Sequence, residues 1–179
     1  MRTEIEERVL EVDKEELIKK LEKLNAVKVG DFHQKRNVYD FKPVRDSEWI
    51  RLRSDGKKTT LTYKNVTKNS IDGTKELEIE VSSFEDTDEM LNILGYKKRA
   101  FQENKRTRYM LDDVELDIDS WPLIPTYLEL EADSIDKIKK VEKKLGIDKD
   151  KITNLNCEDI YKDIYNIDVD AIKELKFEE

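Results

Sequence analysis

Histidine and cysteine are almost missing from this 179-residue chain, which has one of each, His33 and Cys157. A single cysteine excludes an intramolecular disulfide, and a single histidine excludes a multi-histidine metal centre. Any metal would therefore be held by oxygen atoms, which points to Mg²⁺, Mn²⁺ or Ca²⁺ rather than structural zinc. Glycine (5) and proline (3) are scarce, which argues against a linker-rich or low-complexity chain. No stretch of about 18 apolar residues occurs, and the N-terminus lacks an apolar leader. Neither a membrane partner nor a signal peptide is expected, and a cytoplasmic location is the default. Acidic residues (42) outnumber basic ones (34), giving a net charge of -8, which disfavours generic nucleic-acid binding.

What the chain has in abundance is charge, 42% of its residues, and that charge alternates. Glu4, Glu6 and Arg8 sit at every second position near the N-terminus. Arg51 and Arg53 do the same, with Lys64 further on. Glu76, Glu78 and Glu80 form another row, then Arg106 and Arg108, then Glu115, Asp117 and Asp119, then Glu129 and Glu131. Residues two apart on an extended strand share a face. Each segment thus carries charge on one face, and several are apolar on the other: Leu77, Ile79 and Val81; Val114, Leu116 and Ile118; Leu128 and Leu130.

The remaining pattern places these rows on strands between three helices. Residues 3–12 read as a strand, and 14–25 as a helix with Leu17, Ile18, Leu21 and Leu24 on one face and Asp13 as its N-cap. Gly30-Asp31 reads as a break before an extended segment at 33–41. Ser54-Asp55-Gly56-Lys57 is a turn joining strands 48–54 and 59–65, and Asp72-Gly73 precedes a strand at 74–81. A helix at 83–94 stops at Gly95. Residues 96–111 form one long or bent strand, which turns at Asp112-Asp113 into 114–119. A strand at 126–132 and a helix at 134–145 follow, and weaker helical signals lie at 158–165 and 169–175. Sequential hairpins imply an antiparallel sheet of about eight strands, with the helices on its apolar faces.

Two arrangements satisfy this pattern. In the plainer one the charged faces are solvated, as on many antiparallel sheets. In the other the sheet closes into a barrel with the charge inside. Whole strands of one sign favour closure, because like charges in a row repel unless opposite charge lies nearby. Arginine and lysine rows would then bind phosphate oxygens, and carboxylate rows would hold Mg²⁺ or Mn²⁺.

The ordered set Glu4-Ile5-Glu6-Glu7-Arg8, Arg51-Leu52-Arg53, Leu61-Thr62-Tyr63-Lys64, Glu76 to Glu80, Arg106-Thr107-Arg108-Tyr109, Leu116-Asp117 and Tyr127 to Glu131 resembles the CYTH superfamily, the triphosphate tunnel metalloenzymes. The first of these is similar to the family's ExExK signature, and the resemblance covers about residues 1–165. It implies an α+β fold: an eight-stranded antiparallel β-barrel, the tunnel, with amphipathic helices packed outside. Residues 1–179 would form one such domain with a helical tail from about 150. By the same resemblance Glu4, Glu6, Glu129 and Glu131 are the main ligands of Mg²⁺ or Mn²⁺. Asp117 joins the metal site or orients its water, and Glu78 and Glu80 assist. Arg8, Arg51, Arg53, Lys64, Arg106 and Arg108 grip the triphosphate. Glu4, Glu6, Arg8, Arg53 and Asp117 are the catalytic set. Glu76, Glu115 and Asp119 share parity with these residues, and for them a plain exposed strand charge is the first expectation.

Two positions depart from the family pattern. Arg8 stands where the signature has lysine, and a guanidinium binds phosphate but does not act as a base. Asn104 stands where a KxRxxY pattern has lysine, which removes one positive charge from the tunnel. His33 reads as a rim residue and Cys157 as an inert thiol. The lysines from Lys137 to Lys144 read as the solvated face of a helix. Trp121 borders a proline-flanked loop that could reach a substrate base, and a C-terminal lysine could close the tunnel mouth.

The expected activity is metal-dependent hydrolysis of a small-molecule triphosphate: inorganic tripolyphosphate, a nucleoside triphosphate or thiamine triphosphate. One alternative is a class IV-type adenylyl cyclase making cyclic AMP and pyrophosphate. Another is a non-catalytic polyphosphate or nucleotide binder, and a third is a plain acidic β-domain used in protein contacts. The resemblance also allows a homodimer.

Overall fold

In a computed structural model that describes residues 1–68 and 70–178, eight antiparallel strands close into a ring. They are β1 (Arg2–Val9), β2 (Val27–Asp40), β3 (Glu48–Ser54), β4 (Thr59–Val66), β5 (Thr74–Val81), β6 (Lys98–Leu111), β7 (Val114–Ser120) and β8 (Tyr127–Ala132). Around the ring the order is β6-β2-β3-β4-β5-β1-β8-β7, and β7 pairs back onto β6 through Arg106↔Asp119 and Arg108↔Asp117. Closure leaves none of these eight strands with a free edge.

The apolar core lies outside the ring, under the helices. α1 (Lys14–Lys23) begins at Asp13, whose carboxylate accepts the Glu16 N–H at 2.9 Å, and it buries Leu17 and Leu21. α3 (Ile135–Leu145) buries Ile138, Val141 and Leu145 and ends at Gly146 in the left-handed conformation (φ 64°). Both pack on the outward side chains of β1 and β6–β8, among them Val9, Tyr109, Leu116, Ile118, Leu128 and Leu130. α2 (Phe84–Ile93) packs Phe84 and Leu91 on Tyr39 and Leu52 of β2 and β3. Each fully buried side chain of this size contributes roughly 1.5–3 kcal/mol, so outward packing stabilises a ring whose lumen is polar. Among the described residues no helix is long and apolar enough to cross a membrane.

Three expectations change. The break at Gly30-Asp31 is instead a bulge: β2 runs straight through it, with the register against β6 shifting between Lys28 and Gly30. The apolar row of β5 is not covered by a helix. α2 folds back over β2–β3, leaving Leu77 55% and Ile79 53% exposed. The tail is less helical than its pattern. It forms a short pairing with β1 at β9 (Ile152–Thr153), one turn at α4 (Cys157–Asp159), a wide π-helical turn at Ile160–Ile164, a 3₁₀ turn at Val169–Ala171 and strand β10 (Glu174–Leu175), parallel to β6. Ile160, Tyr161, Val169 and Leu175 pack against Trp121, Ile124 and Tyr127, so the tail covers the end of the ring where β8 begins.

Candidate functional site: a charged lumen

Strand alternation does inside the ring what the sequence pattern requires. A cavity of about 320 Å³ is lined by Glu4, Glu6 and Arg8 of β1, Arg51 and Arg53 of β3, Lys64 of β4, Glu76 and Glu78 of β5, Arg106 and Arg108 of β6, Glu115 and Asp119 of β7, and Glu129 and Glu131 of β8. The two signs occupy different walls. Strands β1, β8 and β7 form an acidic wall, and β2–β3 form a basic one.

The acidic wall holds carboxylates side by side. Glu6 of β1 is in register with Glu131 of β8, which is in register with Glu115 of β7. Like charges directly opposite on neighbouring strands destabilise each other. Burial, followed by Glu129 and Glu4, pushes the Glu131 carboxyl up to about 7. Burial likewise raises Glu4, Glu6 and Glu115. Glu129 goes the other way, because Arg8 and Arg106 overcome its burial and hold it below the usual range.

Four cations on this side are occupied by carboxylates. Arg8 contacts Glu129 at 2.7 Å and Glu6 at 3.0 Å. Arg106 donates to both oxygens of Asp119, at 2.7 and 2.5 Å, and contacts Asp117 at 2.5 Å. Arg108 donates to both oxygens of Asp117, each at 2.7 Å, and contacts Glu115 at 2.7 Å. Lys64 lies 2.9 Å from Glu4 and 3.6 Å from Glu76.

The basic wall is compensated far less. Arg36 and Arg53 are cross-strand partners on β2 and β3, and Arg51 lies two residues along. Among the described residues Glu78 is the one carboxylate within ion-pair distance of Arg51 (3.4 Å) and Arg53 (3.5 Å), and it also accepts from the Thr62 hydroxyl at 2.8 Å. Among the described residues no carboxylate pairs with Arg36. It donates to Asn104 Oδ1 at 2.6 Å and lies over the Trp121 ring, 4.3 Å from its centre. The buried Nε atoms of Arg8, Arg36 and Arg51 have no hydrogen-bond partner among the described residues. Proximity to Arg51, then burial, pushes the Arg53 guanidinium down to about 9. Burial, then Arg53, pushes Arg36 down to about 10.

A family model of the CYTH domain matches residues 2–155. The chain belongs to the CYTH family. Solved structures share the CYTH fold. The PH1012 protein of Pyrococcus horikoshii is 23% identical, with a TM-score of 0.75 over 86% of this chain and 96% of that one. A Vibrio parahaemolyticus protein described as a candidate adenylate cyclase is 10% identical, with a TM-score of 0.73 over 92% and 98%. A candidate adenylyl cyclase from Hippeastrum, described as having a dominant triphosphatase activity, is 16% identical, with a TM-score of 0.61 over 93% and 97%. Identities this low establish shared fold. No curated protein matches the sequence.

Most of the site expected for a CYTH chain is brought together here, with three changes. Glu80 lies outside the lumen: it is exposed and pairs with Lys58 at 3.2 Å, because β5 has passed the rim by this residue. Asp117 shares the inward face of β7 with Glu115 and Asp119 but does not line the cavity: it is 2% exposed, covered by Arg106 and Arg108, which hold its oxygens. In this structure it positions Arg106 and Arg108. Glu76, Glu115 and Asp119, first expected as exposed charges, all line the cavity. Arg36 was missed altogether. Its signal is the parity Gln34, Arg36, Val38 on a strand read as beginning later, beside a rim assignment for His33. From the tail, Asn156, Cys157, Glu158, Tyr161, Val169 and Leu175 line the cavity, and among the described residues no lysine of the tail does.

The donor set fits a hard divalent cation. It is all oxygen, and the row Glu6–Glu131–Glu115 carries charge that a cation would relieve. Among the described residues no three such groups converge on one point, since arginines and lysine hold several of them.

Proposed function

We propose that this CYTH chain is a triphosphatase: its lumen binds a linear triphosphate group and hydrolyses it with Mg²⁺ or Mn²⁺. The carrying observation is the basic wall. Arg36 and Arg51 are buried and Arg53 is half-buried, and among the described residues one carboxylate, Glu78, pairs with Arg51 and Arg53 and none with Arg36. A polyanion would supply the missing charge, and guanidinium groups match phosphate oxygens bidentately.

Arg51 and Arg53 bind the phosphate chain directly, and Arg106 and Arg108 add to it from the facing wall. Asp117 fixes the planes of Arg106 and Arg108, which keeps both heads aimed into the lumen. Arg8 neutralises charge and does not act as a base, since Glu6 and Glu129 raise its proton affinity well above the ordinary arginine value despite its burial. Glu4, Glu6, Glu129 and Glu131 would hold the metal, with Glu115 beside them. When bound, the metal neutralises phosphate charge and strengthens water as a nucleophile. Positioning and charge neutralisation are the main requirements of phosphoryl transfer.

The test is a product assay. Purified protein receives tripolyphosphate, ATP and thiamine triphosphate separately, with Mg²⁺ or Mn²⁺, and phosphate, pyrophosphate and cyclic AMP are followed. Phosphate release that is lost in the Glu4→Gln/Glu6→Gln variant is the expected outcome. Cyclic AMP with pyrophosphate would make the protein a cyclase instead. Binding without either product would make it a polyphosphate-binding module.

A further inference from the structure

Arg2 begins β1 two residues before Glu4, so it shares the inward face of that strand with Glu4, Glu6 and Arg8, and it lines the cavity. It is the cross-strand partner of Glu76 on β5. Its Nη2 donates to Glu76 at 3.3 Å and, on the other side of β1, to Glu131 of β8 at 2.6 Å. One guanidinium thus bridges both neighbours of β1 at the N-terminal end of that strand.

The cations of the acidic wall differ in how freely they can leave it. The side chains of Arg8 and Arg106 are 8% exposed and that of Lys64 13%, whereas that of Arg2 is 63% exposed. Breaking a buried pair strands an uncompensated charge, so Arg8, Arg106 and Lys64 are fixed parts of the lumen. An exposed guanidinium that lets go of its carboxylate returns to water at small cost. Its partners stay behind in the wall and then need another cation, since the Glu131 side chain is 24% exposed and that of Glu76 10%.

Resting on the metal-dependent reading of the lumen, we infer that Arg2 is a displaceable counter-ion: it occupies Glu131 in the metal-free protein, and a divalent cation entering the acidic wall takes its place as the arginine side chain turns out into solvent. The two cannot share the carboxylate cheaply, because a guanidinium 2.6 Å from Glu131 repels a dication on the same group. Arg2 therefore lowers the affinity for metal. In return it eases the repulsion among Glu6, Glu131 and Glu115, which stand in register on β1, β8 and β7.

Binding of Mn²⁺ alone, followed by the electron paramagnetic resonance signal of the free ion at fixed pH and ionic strength, tests this on wild type, Arg2→Gln and Arg2→Lys. Arg2→Gln should bind Mn²⁺ about 5-fold more tightly, the equivalent of a well-formed exposed ion pair. Arg2→Lys should stay within about 2-fold of wild type, because it keeps the charge. The melting temperature supplies a second readout. In a chelator Arg2→Gln should melt below wild type. In saturating Mn²⁺ the two should melt alike, since the arginine has by then left its carboxylates in wild type as well. An unchanged or weaker Mn²⁺ affinity in Arg2→Gln, or a melting deficit that persists undiminished in Mn²⁺, would overturn the inference and leave Arg2 a fixed strut between β5 and β8. If wild type binds Mn²⁺ and only the Arg2 pattern is missing, the metal-dependent reading stands without it; if neither wild type nor Arg2→Gln binds Mn²⁺, both fall.

Discussion

Putting lysine at position 104 should destabilise this protein, although its relatives' motif calls for lysine there. Asn104 is fully buried; its Oδ1 accepts from Arg36 at 2.6 Å and its Nδ2 lies 3.4 Å from Asp119. Asn104→Lys removes the acceptor, which costs about 1.5–3 kcal/mol for a hydrogen bond to a charged donor. It also brings an ammonium against the Arg36 guanidinium, a repulsion that nearby Asp119 offsets in part. The net loss should be about 2–4 kcal/mol. Arg36→Gln alone should be neutral or slightly stabilising, since it removes a buried cation that no carboxylate balances. Combined with Asn104→Lys, it should recover most of the loss, because the new ammonium then faces Asp119 alone. Urea denaturation of wild type, both single variants and the double variant gives the coupling directly, expected at about 2 kcal/mol or more in favour of the pair. Additivity to within about 0.5 kcal/mol would refute the claim that positions 36 and 104 share one charge.

Three further outcomes follow from other sites. Glu142 on α3 lies against Glu7 and Lys139, and burial together with Glu7 pushes its carboxyl up to about 7. The folded state therefore binds this proton more tightly than the unfolded state, so this contribution to stability is present at low pH and fades as pH rises through 7. Glu142→Gln should accordingly melt above wild type at pH 8, by about 1 kcal/mol, and lose that advantage at pH 5. Tyr161→Phe leaves the Pro122 carbonyl without its 2.6 Å donor and should cost about 1–3 kcal/mol, seen as a lowered urea midpoint. Asp117→Asn weakens the bidentate grip on Arg108 and should raise KM for tripolyphosphate, with a small fall in stability; an unchanged KM would detach Asp117 from the site.

The strands and the signs of their rows were legible because period two is a clear signal on strands as charged as β1, β5 and β7, whereas closure into a ring rested on the resemblance to the CYTH family, since the same pattern also fits an open, solvated sheet. The helices were equally clear, since Asp13, Ser83 and Gly146 mark their ends as caps. What the pattern could not supply was register. Glu115 reads as a bystander until pairing sets it beside Glu131, and Asp117 reads as a lumen ligand until Arg106 and Arg108 are found to enclose it. Arg36 was lost although it lies within the extended segment read at 33–41, because it was grouped with His33 and Lys35 as rim charge and its parity with Gln34 and Val38 was not followed. Leu77 and Ile79 misled in the other direction: an apolar row promises a covering layer, but α2 turns back over an earlier pair of strands.

The position of β1 in the ring has a consequence for how the chain is made. β2 to β5 and β6 to β8 are each runs of neighbouring hairpins that can pair as soon as they are synthesised. β1 pairs with β5 on one side and with β8 on the other. Of these eight strands, the first to leave the ribosome is therefore the last to gain both neighbours, after Ala132 has emerged. Such distant pairings slow folding, and they mean that Glu4, Glu6 and Arg8 meet Glu129 only once the two halves are stitched together. An incomplete chain carries the acidic signature from the outset yet has no lumen in which to use it.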